Sequence, residues 1–288
     1  MESRLSLAGV ASSVLRTAKL SRKIGTRSAV LVETALLKRD VLENPKLVRL
    51  TVPGFSAPLY LRAGTSDAEI FYQVIVNGEY DIRSFPQFHE IDRLYRKARA
   101  EGQRPLIIDC GANIGLSSVW FSRLFPEAQI FAIEPATDNL EIAKQNLGGY
   151  PNVTLLQGAI WDRSTGLKIS DATADAWAYQ VTEAPQSAGS PDTALRAFTI
   201  PELIDMAGTD RALIVKIDIE GAEATLFRSN TEWVGRTHLI AIELHDWMLP
   251  KQRTSAPFIR SFANLDFDLL QRGETMFVFI DDPASPEQ

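Results

Sequence analysis

The sequence predicts an α/β protein of the doubly wound, Rossmann-like kind, with a mostly parallel sheet and one reversed C-terminal strand, preceded by an N-terminal helical and β cap. Three observations predict it. From residue 104 onward, short apolar runs of strand length alternate with helical segments, the pattern of a parallel sheet covered on both faces. The first run, Leu106–Asp109, feeds a turn holding Gly111, Asn113 and Gly115 and then a second apolar segment, Leu116–Phe125, so a buried strand leads through a tight turn into a helix. The last two runs, Phe267–Leu270 and Met276–Ile280, are joined by a short turn at Gly273 and must be antiparallel.

Taken in order, residues 1–50 read as helical and charged, with Ala29–Leu37 the most apolar stretch. Val48–Val52 and Pro58–Arg62 read as short strands around a Pro-Gly turn. Ser66–Val76 reads as a helix opened by Ser66 and Asp67, and a second helix is expected at about Glu90–Ala100. The catalytic strands are expected at Leu106–Asp109, Gln129–Glu134, Val153–Ala159, Leu213–Asp218 and His238–Leu244. Helices are expected at Leu116–Phe125, Thr137–Leu147, Pro201–Met206 and Ala222–Phe227. Trp161–Arg196 breaks the alternation, with a hairpin at Ser164-Thr165-Gly166 and a loop from about Asp171 to Asp192. The domain organisation expected is therefore a helical extension (1–50), a cap segment (51–103), a catalytic domain (104–282) and a polar tail (283–288).

Composition narrows the function classes. A chain of 288 residues, 45% hydrophobic and 23% charged, can bury a sizeable core. Its formal charge of −6 provides no net-basic surface to track phosphates, so nucleic acid is not an expected partner. Cys110 is the single cysteine and cannot form an internal disulfide, which favours a reducing compartment, taken as the cytoplasm. No run approaches the ~20 apolar residues that span a bilayer. Residues 3–30 carry Arg4, Arg16, Lys19, Arg22, Lys23 and Arg27 with no acid among them, which fits a solvated helical extension, an organelle-targeting peptide or a peripheral membrane contact.

A carboxylate at the tip of the second strand, Glu134, is how nucleotide-binding α/β folds grip ribose hydroxyls. Two cofactors fit a glycine turn followed by such an acid: NAD and S-adenosyl-L-methionine. The dinucleotide fingerprint needs a second glycine where Asn113 stands, and nothing downstream restores the third. Asp109 would repel a pyrophosphate but suits an amino group and a sulfonium. S-adenosyl-L-methionine is the expected cofactor.

The runs Asp109-Cys-Gly-Ala-Asn-Ile-Gly115, Ile133-Glu-Pro135, Lys216-Ile-Asp-Ile-Glu-Gly-Ala-Glu223 and Glu243-Leu-His245 resemble the motif set of FkbM-type methyltransferases. So does the upstream Gly64-Thr-Ser-Asp67 followed by Phe71–Tyr80, and the resemblance extends from about Leu61 to Ile280. It implies a class I, S-adenosylmethionine-dependent enzyme, with O-methylation of hydroxyls on glycans and natural products the leading activity. It also implies that Glu134 holds the ribose diol and that Asp109, Gly111, Ala112, Asn113 and Gly115 surround the methionine moiety. Many class I enzymes place an acid after the third strand to accept from the adenine amine. Here the run is Gln157-Gly158-Ala159-Ile160, so Gly158 and Ala159 are left to hold adenine through backbone and apolar contact, with Trp161 a further candidate.

Ligands in such sheets lie beyond the carboxyl ends of the strands, where Asp218, Glu220, Glu243 and His245 fall. Lys216 lies inside a central strand and alternation puts it on the side of Asp218, so it needs a partner, with Asp218 or Glu220 expected. An alcohol is a poor nucleophile at neutral pH and needs a base or a metal. The candidate catalytic residues are Asp218, Lys216, His245 and Glu220, with Lys216 serving if burial depresses its pKa. Alternatively Asp218, Glu243 and His245 bind a divalent metal. Glu220 and Glu223 also suit a helix N-terminus, and His89 and His238 read as structural; Trp177, Trp233 and Trp247 read first as packing residues, with Trp247, next to Glu243–His245, the best candidate of the three for a sugar-stacking surface.

The chain is expected to methylate a hydroxyl of a small-molecule or glycan acceptor, a saccharide or other polyhydroxylated metabolite, with the loop at 171–192 and the cap covering it. The rivals are a nitrogen- or carbon-directed methyltransferase, an NAD-dependent oxidoreductase, and a binding module that turns nothing over.

Overall fold

A computed structural model describes residues 17–37, 46–169, 181–183, 195–248 and 250–281. The chain divides into two compact units, residues 1–78 and 79–288. The division therefore falls between Gly78 and Glu79, not before residue 104, and the strand pair on either side of residue 51 belongs to one unit.

In the first unit a helix over residues 17–24 (α1) is followed by α2 (Thr26–Leu37), β1 (Lys46–Leu50), β2 (Leu59–Ala63) and α3 (Asp67–Phe71). α3 continues into one π-helical turn, Tyr72–Val76. β1 and β2 pair antiparallel, Leu50 opposite Leu59. The described part of the basic N-terminal stretch is thus folded helix: Leu20, Ile24, Ala29 and Val32 are buried, while Lys19, Arg22, Lys23 and Arg27 are exposed. Ser66 does not cap α3. Asp67 is instead taken by Arg62, whose Nη2 lies 2.8 Å from Oδ1 and whose Nε donates to Oδ2 at 3.0 Å, a two-pronged pair that is stable when buried. Residues 1–16 lie outside the described residues. No helix among the described residues is long and apolar enough to cross a membrane.

The second unit is built on a seven-stranded sheet. Its strands are β3 (Leu106–Cys110), β4 (Gln129–Glu134), β5 (Val153–Gln157), β10 (Ala212–Ile217), β11 (Thr237–Glu243), β12 (Phe267–Arg272) and β13 (Thr275–Ile280). Their order is β12-β13-β11-β10-β3-β4-β5, and β13 is the one reversed strand. β3 and β10 are buried at every position, as strands covered on both faces must be. On one face Leu106, Ile108, Cys110, Val215, Ile217, Ile240 and Ile242 join a core closed by Phe227, Trp233, Phe258 and Phe262. Their rings meet tilted or edge-on in the order Trp233, Phe227, Phe258, Phe262, at centroid separations of 5.4, 5.1 and 5.0 Å. Cys110 belongs to this core, and burial pushes its thiol well above the ordinary range.

The helices are α4 (Phe88–Ala100), α5 (Leu116–Leu124), α6 (Thr137–Leu147), α7 (Ile200–Met206), α8 (Glu223–Leu226) and α9 (Ser255–Arg260). α7 starts as its sequence requires: Thr199 Oγ1 accepts from Glu202 N at 3.2 Å, with proline in the first turn. The expected strand Val153–Ala159 is broken at Gly158. β5 ends at Gln157, and Ala159–Ile160 (β6) enters a second sheet with β7 (Gly166–Ile169), β8 (Val181–Glu183) and β9 (Leu195–Phe198). Gly158 makes the break: it has φ +154, and a Cβ there would lie 2.5 Å from the Arg196 carbonyl oxygen. The 171–192 loop lies outside the described residues apart from β8, as do Trp177 and the tail at 283–288.

Candidate active site

The turn after β3 and the turn after β10 touch each other at the carboxyl edge of the sheet. A Cβ on Gly111 would sit 1.8 Å from the Asp218 carbonyl oxygen, so only glycine lets them meet. Asp218 N donates to Cys110 O at 3.1 Å. Asn113, at φ +50, takes the left-handed conformation that asparagine tolerates best, and its N–H donates to Glu134 Oε2 at 2.8 Å. Glu134 Oε1 accepts from Ala136 N at 3.0 Å and from Asn139 Nδ2 at 3.1 Å. Burial outweighs these bonds and the charge of Lys216, and raises the Glu134 pKa to about 7.

A cleft opens over these turns. Gly111, Asn113, Glu134 and Ala159 line it, together with Ile133, Ile160 and Val181. Asp218 and Glu220 line it as well. Four residues expected at the cofactor take other positions. Asp109 is buried away from the cleft, its Oδ2 accepting from Ser117 and Ser118 hydroxyls at 2.6 Å each. Gly115 is the N-cap of α5 and packs on Leu147, Ala112 is buried, and Gly158 packs on Phe198.

Lys216 is 2% exposed. Its Nζ donates to Gly111 O at 2.6 Å and lies 3.3 Å from Asp109 Oδ1 and 3.5 Å from Asp218 Oδ2. Strand register sets this pairing, because Lys216 stands directly beside Asp109 across the β10–β3 ladder. Burial alone pulls its pKa down, but Asp109, Asp218 and Glu243 override it and hold it well above the ordinary lysine value. These charges favour the ammonium form, so burial does not depress the pKa as a lysine base would need, and the Lys216 side chain sits between two loops.

His245 Nδ1 lies 2.7 Å from Glu223 Oε1, and its Nε2 lies 3.4 Å from Glu220 Oε2 and 3.8 Å from Asp218 Oδ1. Burial lowers the imidazole pKa, but the bond to Glu223 and the charges of Glu223, Asp218 and Glu220 raise it to about 9. Burial, then Asp218, raises Glu220 to about 8. Glu243, expected among the metal ligands, turns away: Oε1 accepts from Tyr80 OH at 3.2 Å and Thr275 Oγ1 at 3.1 Å. Glu220 stands with Asp218 and His245 in its place, one ligand atom from each lying within 4.8 Å of the others. Trp247 is 66% exposed with its ring 6.5 Å from that of His245, whereas Trp233 is core. His89 is exposed on α4, and His238 is half-buried in β11. Trp161 faces Glu183, donating from Nε1 at 3.1 Å.

Residues 109–269 match the family model of the methyltransferase FkbM domain. The chain belongs to the FkbM methyltransferase family. Every residue of the cleft and acid cluster named above falls within that match except Tyr80 and Thr275. The strand order, with its reversed β13, is the class I methyltransferase arrangement. The FkbM-family chain is 24% identical over 156 residues to the 2-O-methyltransferase NoeI of Sinorhizobium fredii, covering 49% of this chain and 64% of that one. It is 32% identical over 89 residues to methyltransferase sdnD of Sordaria araneosa, covering 31% and 28%. The chain thus spans less than two thirds of either relative. Among solved structures, the O-methyltransferase TomG from Streptomyces achromogenes aligns with TM-score 0.38 and 14% identity, covering 66% of this chain and 79% of that one.

The cofactor of such a methyltransferase, S-adenosyl-L-methionine, fits the polar chemistry of the FkbM-family cleft. Asn113 Oδ1 and Glu220 Oε2 are buried acceptors with no hydrogen-bond partner, and both residues line it. Unsatisfied acceptors call for donors such as hydroxyls or an ammonium, and carboxylates repel a pyrophosphate. Asn139 and Glu223 escaped the sequence reading as site residues. Asn139 lies in the first turns of α6, five residues past Glu134, and Glu223 lies inside the Lys216–Glu223 motif but reads there as a helix-start acid.

Proposed function

We propose that this FkbM-family chain transfers a methyl group from S-adenosyl-L-methionine to a hydroxyl of a saccharide or other polyhydroxylated metabolite. One observation carries the proposal: a single cleft has the held carboxylate Glu134 on its wall and the acid pair Asp218 and Glu220 on the same surface. When bound, the cofactor supplies a methyl carbon on a sulfonium leaving group. Glu134, its oxygens fixed by Asn113, Ala136 and Asn139, holds the ribose diol. Ala159 and Ile160 flank the adenine with apolar surface, and Asn113 Oδ1 accepts from the ligand. Asp109 acts through Lys216 and not by touching the methionine moiety. The cluster of Asp218, Glu220 and His245 positions the acceptor hydroxyl and weakens its hold on the proton. Exposed Trp247 offers its face to the apolar side of a sugar ring. The hydroxyl acceptor is further supported by the relative named as a 2-O-methyltransferase.

Glu134→Ala is expected to weaken binding of S-adenosylhomocysteine by about 1–3 kcal/mol, the usual worth of lost hydrogen bonds to a charged group. Titration calorimetry measures it, and unchanged affinity removes the ribose assignment. The pH dependence has a defined sign. With its pKa raised to about 7, Glu134 is protonated in the free protein at lower pH and must lose that proton to accept from both hydroxyls. Affinity is expected to be level above about pH 8 and to fall up to about tenfold per pH unit below 7. Glu134→Gln should abolish that slope; a wild-type affinity flat from pH 8 to 6 contradicts it. A methyl-release screen over sugar and polyketide alcohols tests the acceptor class, and turnover confined to amines or carbon nucleophiles decides against hydroxyl transfer.

A further inference from the structure

The side chain of His245 is 7% exposed and anchored on one side only. Glu223, fully buried, holds Nδ1 at 2.7 Å and also accepts from Gly221 N at 3.1 Å, so the ring cannot swing. Nε2 is thereby aimed into the gap between Glu220 Oε2 and Asp218 Oδ1, where it makes no hydrogen bond among the described residues. Glu220 Oε2 is itself buried without a hydrogen-bond partner. The spacing fits one small cation. Ligand atoms about 2.1–2.3 Å from an ion lie roughly 3.0–3.3 Å apart when adjacent and about 4.5 Å apart when opposite. Here the distances from Nε2 are 3.4 and 3.8 Å, and one ligand atom from each of the three residues lies within 4.8 Å of the others.

Charge points the same way. Asp218, Glu220 and Glu223 surround His245, and Asp109, Asp218 and Glu243 surround Lys216, so five carboxylates face two cations at this edge of the sheet. Lys216 is already engaged by Asp109 and the Gly111 carbonyl. A site where carboxylates outnumber the cations set among them is stabilised by a further cation.

We propose that Asp218, Glu220 and His245 form a divalent-cation site, with Glu223 as the outer carboxylate that orients the histidine. A carboxylate behind a ligating imidazole fixes the tautomer that presents the other nitrogen to the metal. Asp218 and Glu220 line the cleft, so the ion is reached from solvent, and three protein ligands leave positions for an acceptor hydroxyl. One imidazole and two carboxylates suit Mn²⁺ or Zn²⁺ better than a purely oxygen-binding ion. The purpose given to the ion, polarising that hydroxyl, rests on the methyl-transfer reading; the ion site itself does not.

The test titrates Mn²⁺ into the full chain after EDTA treatment and dialysis, read by calorimetry and by the electron paramagnetic resonance of free Mn²⁺, with Mg²⁺ and Zn²⁺ in parallel. One Mn²⁺ per chain is expected. Glu220→Gln and His245→Ala should each weaken it at least about tenfold, and Glu223→Gln by about 10–100-fold. Circular dichroism melts and S-adenosylhomocysteine titrations on the same variants separate a lost site from a lost fold. Failure of all three ions to bind the folded wild-type chain overturns the proposal, as does Mn²⁺ affinity unchanged in folded His245→Ala. Mn²⁺ uptake without S-adenosylhomocysteine binding would leave the ion site standing and remove the methyl-transfer reading; the converse result would do the opposite.

Discussion

Lys216→Met is expected to destabilise the chain by about 3–5 kcal/mol, the cost of leaving a buried carboxylate without its counter-charge. Asp109 is fully buried, its Oδ2 is occupied by two serine hydroxyls, and Oδ1 looks to Lys216 at 3.3 Å. Methionine fills much of the space but leaves that carboxylate facing apolar surroundings and takes the donor from Gly111 O. Urea unfolding measures the loss. The double variant with Asp109→Asn should recover part of it, since removing both charges relieves the desolvation that breaking one leaves behind. A single-variant loss under about 1 kcal/mol would contradict the hub role given to Lys216.

His245→Ala is expected to lower turnover by about 10²-fold or more, the cost of misplacing the acceptor hydroxyl that its cluster positions, while S-adenosylhomocysteine affinity stays close to wild type. The separation follows from position. His245 lies behind Asp218 and Glu220, held by Glu223, while the residues given to the cofactor, Asn113, Glu134, Asn139 and Ala159, lie on the remainder of the cleft. Alanine also leaves Glu223 buried without its partner, so the same variant is checked for folding by its thermal melt. Wild-type turnover in a folded His245→Ala chain would exclude the imidazole from the chemistry, and a matching loss of cofactor affinity would make it a structural residue.

The sheet was legible because its strands are buried on both faces and read as unbroken apolar runs, and because the Gly273 turn forces one reversal. Glu134 and Asp218 were legible for a related reason: a polar residue ending such a run lies at the carboxyl edge where ligands collect. Lateral contacts were not. Lys216 pairs with Asp109 because β10 and β3 are in that register, and register is a property of two strands that neither sequence run states. The exchange of Glu220 for Glu243 has a similar origin. Glu220 and Gly221 both take positive φ, at +51 and +93, which turns the chain after Asp218 sharply. Glu243 is instead engaged by Thr275, its ladder partner on β13, and by Tyr80. Gly158 read as a cofactor contact, but the space a Cβ would take there is filled by the Arg196 carbonyl and the Phe198 ring.

Titration of the intact chain with S-adenosylhomocysteine at pH 8 tests most directly whether the hollow beneath Asn113 and Glu134 accepts the adenosyl and amino-acid frame of the methyl donor. Saturable binding of one equivalent is predicted, weaker by about 1–3 kcal/mol in Glu134→Ala and not displaced by NAD. No binding by the folded protein, or binding of NAD in its stead, would contradict it.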